Sequence, residues 1–242
     1  MPAYNEELFI INSLTETIKS LKNIEFEIIF VNDGSTDRTL QIVSNTKEFR
    51  GHVKIVTYAQ NQGKGYASAV GFKASRGDPV VFFDADLEIH PRCILNLLSV
   101  KGNTGADIVV ASNMHPESDT NFPPLRKLLT QVYYLAVRMF ILPIRHEAGL
   151  KIFKREAFGK VLPLLVYRRY GAEIEQLALA NKLGYSIVEA PISSRYKGTG
   201  GMDIHSFLHT GYETFALLTR LRVTGNYNQR LKICQNPQLD SQ

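Results

Sequence analysis

Two aspartates stand one residue apart where an apolar run ends. Pro79-Val80-Val81-Phe82-Phe83 leads directly into Asp84-Ala85-Asp86, and Glu88 follows two residues later. Alternate residues in an extended turn point the same way. Two carboxylates converging there suit a hard divalent cation, bound through oxygen and shared with a ligand's phosphates. An isolated Asp-x-Asp is equally well a solvated turn whose acids cap a helix. Its place at the carboxyl end of a strand, where open α/β sheets meet ligands, favours the ligand. Asp33 ends a second apolar run, in Val31-Asn32-Asp33-Gly34-Ser35. These residue types all favour turns, which is the plain reading, and a carboxylate buried there can also accept the N–H of a nucleobase.

A third cluster, Gly63-Lys64-Gly65, opens a helix, and glycines before a helix let a phosphate approach backbone N–H groups. Gly63-x-Gly65-x-x-Ser68, with Asp84 about 20 residues on, is a partial dinucleotide fingerprint. Against that reading, Ser68 replaces the third glycine, the loop begins several residues after its strand, and the motif falls on the second or third unit of the sheet. Lys64 is followed by glycine, so this is not a Walker A loop.

These groups need a scaffold. Leu8, Ile11, Leu14, Ile18 and Leu21 recur at helical spacing over residues 7–22, and 26–31 form a buried strand. Helices follow over 36–46, 63–75 and from Pro91, with strands at 53–58, 79–83 and 107–111 between them. Alternating strands and helices predict α/β architecture with a largely parallel sheet. The turns after Val31, Tyr58 and Phe83 then share one rim. The second half is more helical, over 125–144, 171–184 and 203–223, with a strand at 185–192 and a loop from Arg195 to Gly201. A polar tail begins near 226. The expected division is one domain over 1–225, with a nucleotide-binding half to about 121 and an acceptor half from 122, followed by the tail.

At 242 residues with 44% hydrophobic content, the chain can bury a core without staples. Cys93 and Cys234 form no metal-binding spacing, which argues for a reducing compartment and against structural zinc. No secretory leader is read at the N-terminus, and 128–144, the most apolar stretch, is short for a bilayer span and holds Gln131 and Arg138. The expected location is cytoplasmic, with peripheral contact to the cytoplasmic face of a membrane. The net charge of +5 divides unevenly: residues 1–121 carry 11 Lys and Arg against 15 Asp and Glu, net −4, and residues 122–242 carry 17 against 8, net +9. The second half therefore calls for an anionic partner. Residues 126–169 hold ten Lys and Arg against two acids, beside Leu128, Leu129, Val132, Leu135, Met139 and Leu142. That fits either a core helix with a solvated basic face or a helix lying on an anionic membrane. No nucleic-acid-binding signature accompanies the charge.

Taken in order, Pro2-Ala3-Tyr4-Asn5-Glu6, the 31–37 turn, Asn61-x-Gly63-Lys64-Gly65 and Asp84-Ala85-Asp86-Leu87-Glu88 resemble the signature of family 2 glycosyltransferases of the GT-A fold. Gly149-Leu150-Lys151-Ile152-Phe153, Glu189-Ala190-Pro191-Ile192 and Arg195-x-x-Gly198 extend the resemblance toward the dolichyl- and polyprenyl-phosphate mannosyl- and glucosyltransferases. The resemblance implies roles. Pro2, Ala3, Tyr4 and Glu6 would line the nucleobase and ribose pocket, Asp33 would bond the base, and Lys64 would lie near the nucleotide. Asp84 and Asp86 would hold Mg²⁺ or Mn²⁺ on the diphosphate, with Glu88 completing the shell, and Arg195 would face the diphosphate or an acceptor phosphate. The implied fold is a mostly parallel sheet flanked by helices. The family's first strand precedes Pro2 and is expected to be absent here. Ala111-Ser112-Asn113 replaces the usual Gly-Ser-Arg, Arg145-His146 replaces Asp-Thr, and Gly200-Gly201 replaces Ser-Lys. All three changes touch the acceptor side.

The implied reaction is inverting transfer from a nucleotide sugar to a polyprenyl phosphate. A glycan hydroxyl as acceptor would require a carboxylate base. Glu173 and Glu175 are the candidates, and on a helix two residues apart they point differently, so at most one enters the site. A solvated helix-start carboxylate is the structural alternative for each. The competing functions are a nicotinamide-dependent oxidoreductase and a non-catalytic nucleotide-sugar-binding protein.

Overall fold

The computed structural model describes residues 1–169, 171–195, 204–222 and 227, with side chains of the last helix described over 211–221. Strands β1 (Pro2–Ala3), β2 (Ile28–Asp33) and β3 (Val53–Tyr58) form a parallel sheet in that order. Every position of β2 is buried, as for a parallel strand covered on both faces. The expected absence of a first strand is corrected: Pro2 pairs with Val31 and Ala3 with Asn32. Met1 extends the ladder, donating to Ile29 O at 3.0 Å and accepting from Val31 N at 2.9 Å.

Helix α1 (Ile10–Leu21) buries Ile10, Leu14, Thr17 and Leu21, one face at helical spacing. Helices α2 (Thr39–Asn45), α3 (Lys64–Ala74) and α4 (Cys93–Thr104) follow the strands as the pattern predicted. After them come β4 (Val80–Phe82), β5 (Ile108–Ser112), the short β6 (Asp119–Thr120) and α5 (Pro124–Phe140), the last with proline in its first turn. The chain continues through β7 (Lys151–Phe153), α6 (Arg155–Val161), α7 (Gly171–Lys182), β8 (Ile187–Pro191), β9 (Ser193–Ser194) and α8 (Ile204–Arg222).

The second sheet runs β4-β7-β5-β8, and β6 pairs with β9. β5 and β8 are parallel, whereas β7 is antiparallel to both neighbours. Strand β7 was not foreseen as a strand: three residues with a lysine among them leave no readable alternation. Its insertion between β4 and β5 makes the two halves of the chain share one sheet and one core. Phe82, Phe153 and Phe158 meet there with ring centroids 4.6–5.7 Å apart, a spacing where each aromatic pair adds about 1 kcal/mol beyond its buried area.

Helix α5 stops at Phe140, four residues short of its expected end. It buries Tyr134 and Val137 but leaves Leu125, Leu128, Leu129, Val132, Leu135 and Met139 between 44% and 68% exposed. Among the described residues, no helix is long and apolar enough to cross a membrane.

Candidate active site

Asp33, at the end of β2, is buried and takes four donors on two oxygens. Oδ1 accepts the Tyr58 hydroxyl at 2.7 Å and Gln62 N at 2.8 Å; Oδ2 accepts Asn61 Nδ2 at 3.0 Å and Gly63 N at 2.9 Å. The nucleobase role expected for Asp33 meets a carboxylate whose lone pairs are engaged in holding the 61–63 turn. That turn delivers Lys64, the first residue of α3, to the end of β4. At the start of α3, Gly65 N and Tyr66 N donate to Arg168 O at 2.8 and 3.3 Å. A phosphate cradle here would find the Gly63, Gly65 and Tyr66 N–H groups already engaged, and the dinucleotide fingerprint, which the sequence already counts against, gains no support. The glycines serve close packing: a Cβ on Gly65 would fall 2.3 Å from Ala172 Cβ.

Lys64 Nζ lies 2.7 Å from the Asp84 carboxylate and 2.9 Å from Glu173 Oε1. Glu173, in the first turn of α7, also meets Lys151 Nζ at 2.7 Å, and Lys151 reaches Glu147 Oε1 at 2.7 Å. Five charges thus alternate in sign along Asp84, Lys64, Glu173, Lys151 and Glu147. Lys151 and Glu147 expose only 2% and 4% of their side chains, and ions so enclosed persist because they are paired. Burial works against the charge of Glu173, yet Lys151 and then Lys64 outweigh it and hold the carboxyl down at about 2. Asp84 moves the other way. Burial raises it, Lys64 lowers it, and Glu173 and Asp86 push it up again, leaving it at about 6.

Asp86 Oδ1 accepts Glu88 N at 2.9 Å, closing the turn in which Leu87 takes φ 59°. Glu88 Oε1 lies 3.7 Å from Arg126 Nη2 in α5. Asp84 and Asp86 offer oxygen donors in a surplus negative field, which is what a hard dication relieves. They fit Mg²⁺ or Mn²⁺. Among the described residues no third His, Cys, Asp or Glu is drawn into a cluster with them, so ligand oxygens or water would complete the shell.

Gly149 backs Asp84. Its φ is +63°, and a Cβ there would sit 2.3 Å from Asp84 Oδ2. Gly149→Ala therefore imposes left-handed backbone strain together with a clash, about 2 kcal/mol or more. The expected outcome in thermal denaturation is a melting temperature several degrees lower. An unchanged melting temperature would show that Asp84 is not held against this backbone.

The other expected residues are placed as follows. Pro2 and Ala3 are in β1. Tyr4, half exposed, begins a loop stitched to residues 35–39 by Asn5 N to Ser35 Oγ at 3.1 Å and Glu6 N to Thr39 Oγ1 at 2.8 Å. Arg195 N donates to Glu88 O at 3.0 Å, tying it to the Asp86 turn, while its guanidinium pairs with Asp119 at 2.6 Å. Gly198, Gly200 and Gly201 lie outside the described residues. Glu175 is turned away from Glu173: it is buried and accepts Val166 N and Tyr167 N at 2.9 Å and the Tyr227 hydroxyl. His146 is a core histidine, kept neutral because burial, with Arg126 nearby, lowers it to about 3. Sequence reasoning missed Lys151 and Glu147 as site residues. The available signal was a lysine inside the apolar Leu150-Lys151-Ile152-Phe153, which demands a buried counter-ion.

The profile of the family described as Glycosyl transferase family 2 matches residues 1–172. Glycosyltransferase AglD of Haloferax volcanii is 27% identical over 240 residues, 96% of this chain and 38% of that protein. A dolichyl-phosphate beta-glucosyltransferase of Trichomonas vaginalis is 31% identical over 226 residues, 86% of this chain and 66% of that protein. The chain thus spans between 38% and 66% of the length of these relatives. Among solved structures, glucosyl-3-phosphoglycerate synthase from Mycobacterium tuberculosis in complex with UDP aligns with a TM-score of 0.68 at 23% identity, covering 90% of this chain and 76% of that one. The same enzyme has been crystallised with Mn²⁺ and UDP-glucose. Mannosyl-3-phosphoglycerate synthase from Rubrobacter xylanophilus aligns with a TM-score of 0.69 at 17% identity, covering 95% and 73% of the two chains. At these identities the likeness establishes the fold, which is GT-A.

Proposed function

The chain belongs to glycosyl transferase family 2, and from that premise we propose that it transfers a sugar, with inversion at the anomeric carbon, from a UDP- or GDP-sugar to a polyprenyl or dolichyl phosphate at a membrane surface. One observation carries the choice of acceptor. Glu173, the carboxylate that enters the site, is locked between two ammonium groups and held at about 2. A hydroxyl nucleophile needs a base poised near the working pH, and Glu173 is far below it. A phosphate monoester has a second pKa near 6, is mostly dianionic at pH 7, and attacks without one. The dolichyl-phosphate relative supports the same acceptor class.

In this reading Asp84 and Asp86 hold the divalent ion, which when bound supplies positive charge against the leaving diphosphate. Lys64 stands ready to contact the same diphosphate, and Pro2, Ala3, Tyr4 and Glu6 line the nucleoside. Arg195 serves a phosphate once freed from Asp119. The exposed apolar face of α5, flanked by Lys127 and Arg138, rests on an anionic membrane.

The test is to incubate the protein with UDP- and GDP-sugars and a short polyprenyl phosphate, with Mn²⁺ or with EDTA. Glycosyl-phosphoryl-polyprenol is expected with the metal and none with EDTA. Transfer to a glycan hydroxyl instead would overturn the acceptor assignment. In parallel, the protein should float with anionic liposomes at low salt; failure to do so removes the membrane contact.

A further inference from the structure

Lys64 is drawn two ways. Its ammonium lies 2.7 Å from both oxygens of Asp84 and 2.9 Å from Glu173 Oε1. A dication on Asp84 needs those same oxygens, and two cations on one carboxylate repel. Glu173 is the second carboxylate in contact with the ammonium, and its Oε1 is shared with Lys151 at 2.7 Å. Lys151 in turn divides itself between Glu173 and Glu147, at 2.7 Å each. How firmly Glu173 pulls on Lys64 is therefore set by how much of its charge Lys151 has taken.

This chain of charges runs from a closed end to an open one. Glu147 and Lys151 expose 4% and 2% of their side chains, whereas Glu173, Lys64 and Asp84 expose 20%, 28% and 33%. The closed end is held on several sides. Lys151 stands in β7, paired with Phe82 of β4 on one side and Val110 of β5 on the other. Glu147 Oε1 also accepts Gly149 N at 2.9 Å, and the Glu147 carbonyl accepts the buried Tyr134 hydroxyl at 3.1 Å. The open end is the donor site, where Asp84 and Asp86 face the dication and Lys64 the diphosphate. Enclosed groups that meet a ligand only through the side chain in front of them act by placing that side chain.

We propose that Lys151 and Glu147 are positioning residues for the donor: by taking part of the charge of Glu173, they keep Lys64 poised between Asp84 and Glu173, able to yield Asp84 to the dication and still meet the diphosphate. Without Lys151, Glu173 holds Lys64 for itself. Asp84 is then freer for the metal, and the diphosphate loses its ammonium. The two ligands of the donor site therefore respond in opposite directions, whereas a loosened site weakens both. The inference rests on the donor reading above and adds to it two residues that touch neither ligand.

Glu147→Gln/Lys151→Met tests it, because the pair removes one charge of each sign and strands none. Mn²⁺ binding without nucleotide is followed by electron paramagnetic resonance, and UDP binding at saturating Mn²⁺ by calorimetry. The expected result is tighter Mn²⁺ and weaker UDP, each by about tenfold, the weight of one hydrogen bond to a charged group. Glu147→Gln alone is the mildest change, since it keeps an oxygen for Gly149 N. It should act in the reverse sense: Lys151 turns to Glu173, Lys64 turns to Asp84, and Mn²⁺ binds more weakly. Lys64→Gln/Glu173→Gln removes the poised lysine with its carboxylate and leaves Lys151 paired with Glu147. Adding Glu147→Gln/Lys151→Met to that background should leave Mn²⁺ affinity unchanged. The same tightening there would assign the effect to the general field and overturn the proposal. Anything short of opposite shifts in Glu147→Gln/Lys151→Met, whether both ligands weaken or neither changes, overturns it as well and leaves the donor reading standing. A wild type that binds neither Mn²⁺ nor UDP overturns the donor reading and the proposal with it.

Discussion

Asp86→Asn is expected to lower sugar transfer by about a thousandfold while the protein stays folded. The substitution keeps a side-chain oxygen to accept Glu88 N, the bond that closes the turn at 2.9 Å. What it removes is one of the two negative charges that would hold the divalent ion. The same variant should bind Mn²⁺ more weakly in a direct titration without substrate, so the effect is read on the site as well as on the rate. Full activity with the metal still required would remove Asp86 from the metal site. Asp84 is a poorer choice for this experiment, because it also neutralises Lys64 at 2.7 Å and its loss would disturb two functions together.

Lys151→Met should be the most destabilising single change in the site. Lys151 is 2% exposed and lies 2.7 Å from both Glu147 and Glu173. Removing it leaves a buried Glu147 without its cation, and breaking an enclosed pair in this way costs about 3–5 kcal/mol. Urea unfolding reads the loss directly, and adding Glu147→Gln should recover part of it by removing the stranded charge. The acid limb gives an independent check. Glu173 falls from the ordinary 4.5 to about 2 in the folded protein. Its stabilisation is therefore complete above 4.5 and is lost as the pH drops toward 2. The wild type should lose more stability across that window than Lys151→Met, in which one of the two ammonium groups holding Glu173 down is gone. Unchanged urea midpoints at pH 7 would mean that the network contributes nothing to stability.

Most of the alternating strands and helices of residues 10–112 were legible because the period of a buried face is written locally, 3.6 for α1 and an unbroken apolar run for β2. The Asp84–Asp86 pair was legible for a related reason: two carboxylates directly after a buried strand stand at the rim where open α/β sheets meet ligands. Strand β7 was not legible, because three residues are too few for a period and Lys151 interrupts them. The Gly63-Lys64-Gly65 loop was read as a phosphate cradle from residue types alone. Its Gly63 N–H is instead taken by Asp33 and its Gly65 N–H by Arg168 O, a partner more than a hundred positions away.

The sequence by itself therefore determined the family, the order of the elements through residue 112 and the acids at the strand ends, all of which depend on near neighbours along the chain. It also determined that only one of Glu173 and Glu175 could enter the site, since a helix turns 100° per residue. The tertiary structure alone decided which one, by setting Lys64 and Lys151 from two other elements against Glu173 and enclosing Glu175 beneath Tyr227. It likewise decided that Glu173 is a locked anion. Charge state and proximity arise from which distant residues share a low-dielectric space, and that information is carried by the packing.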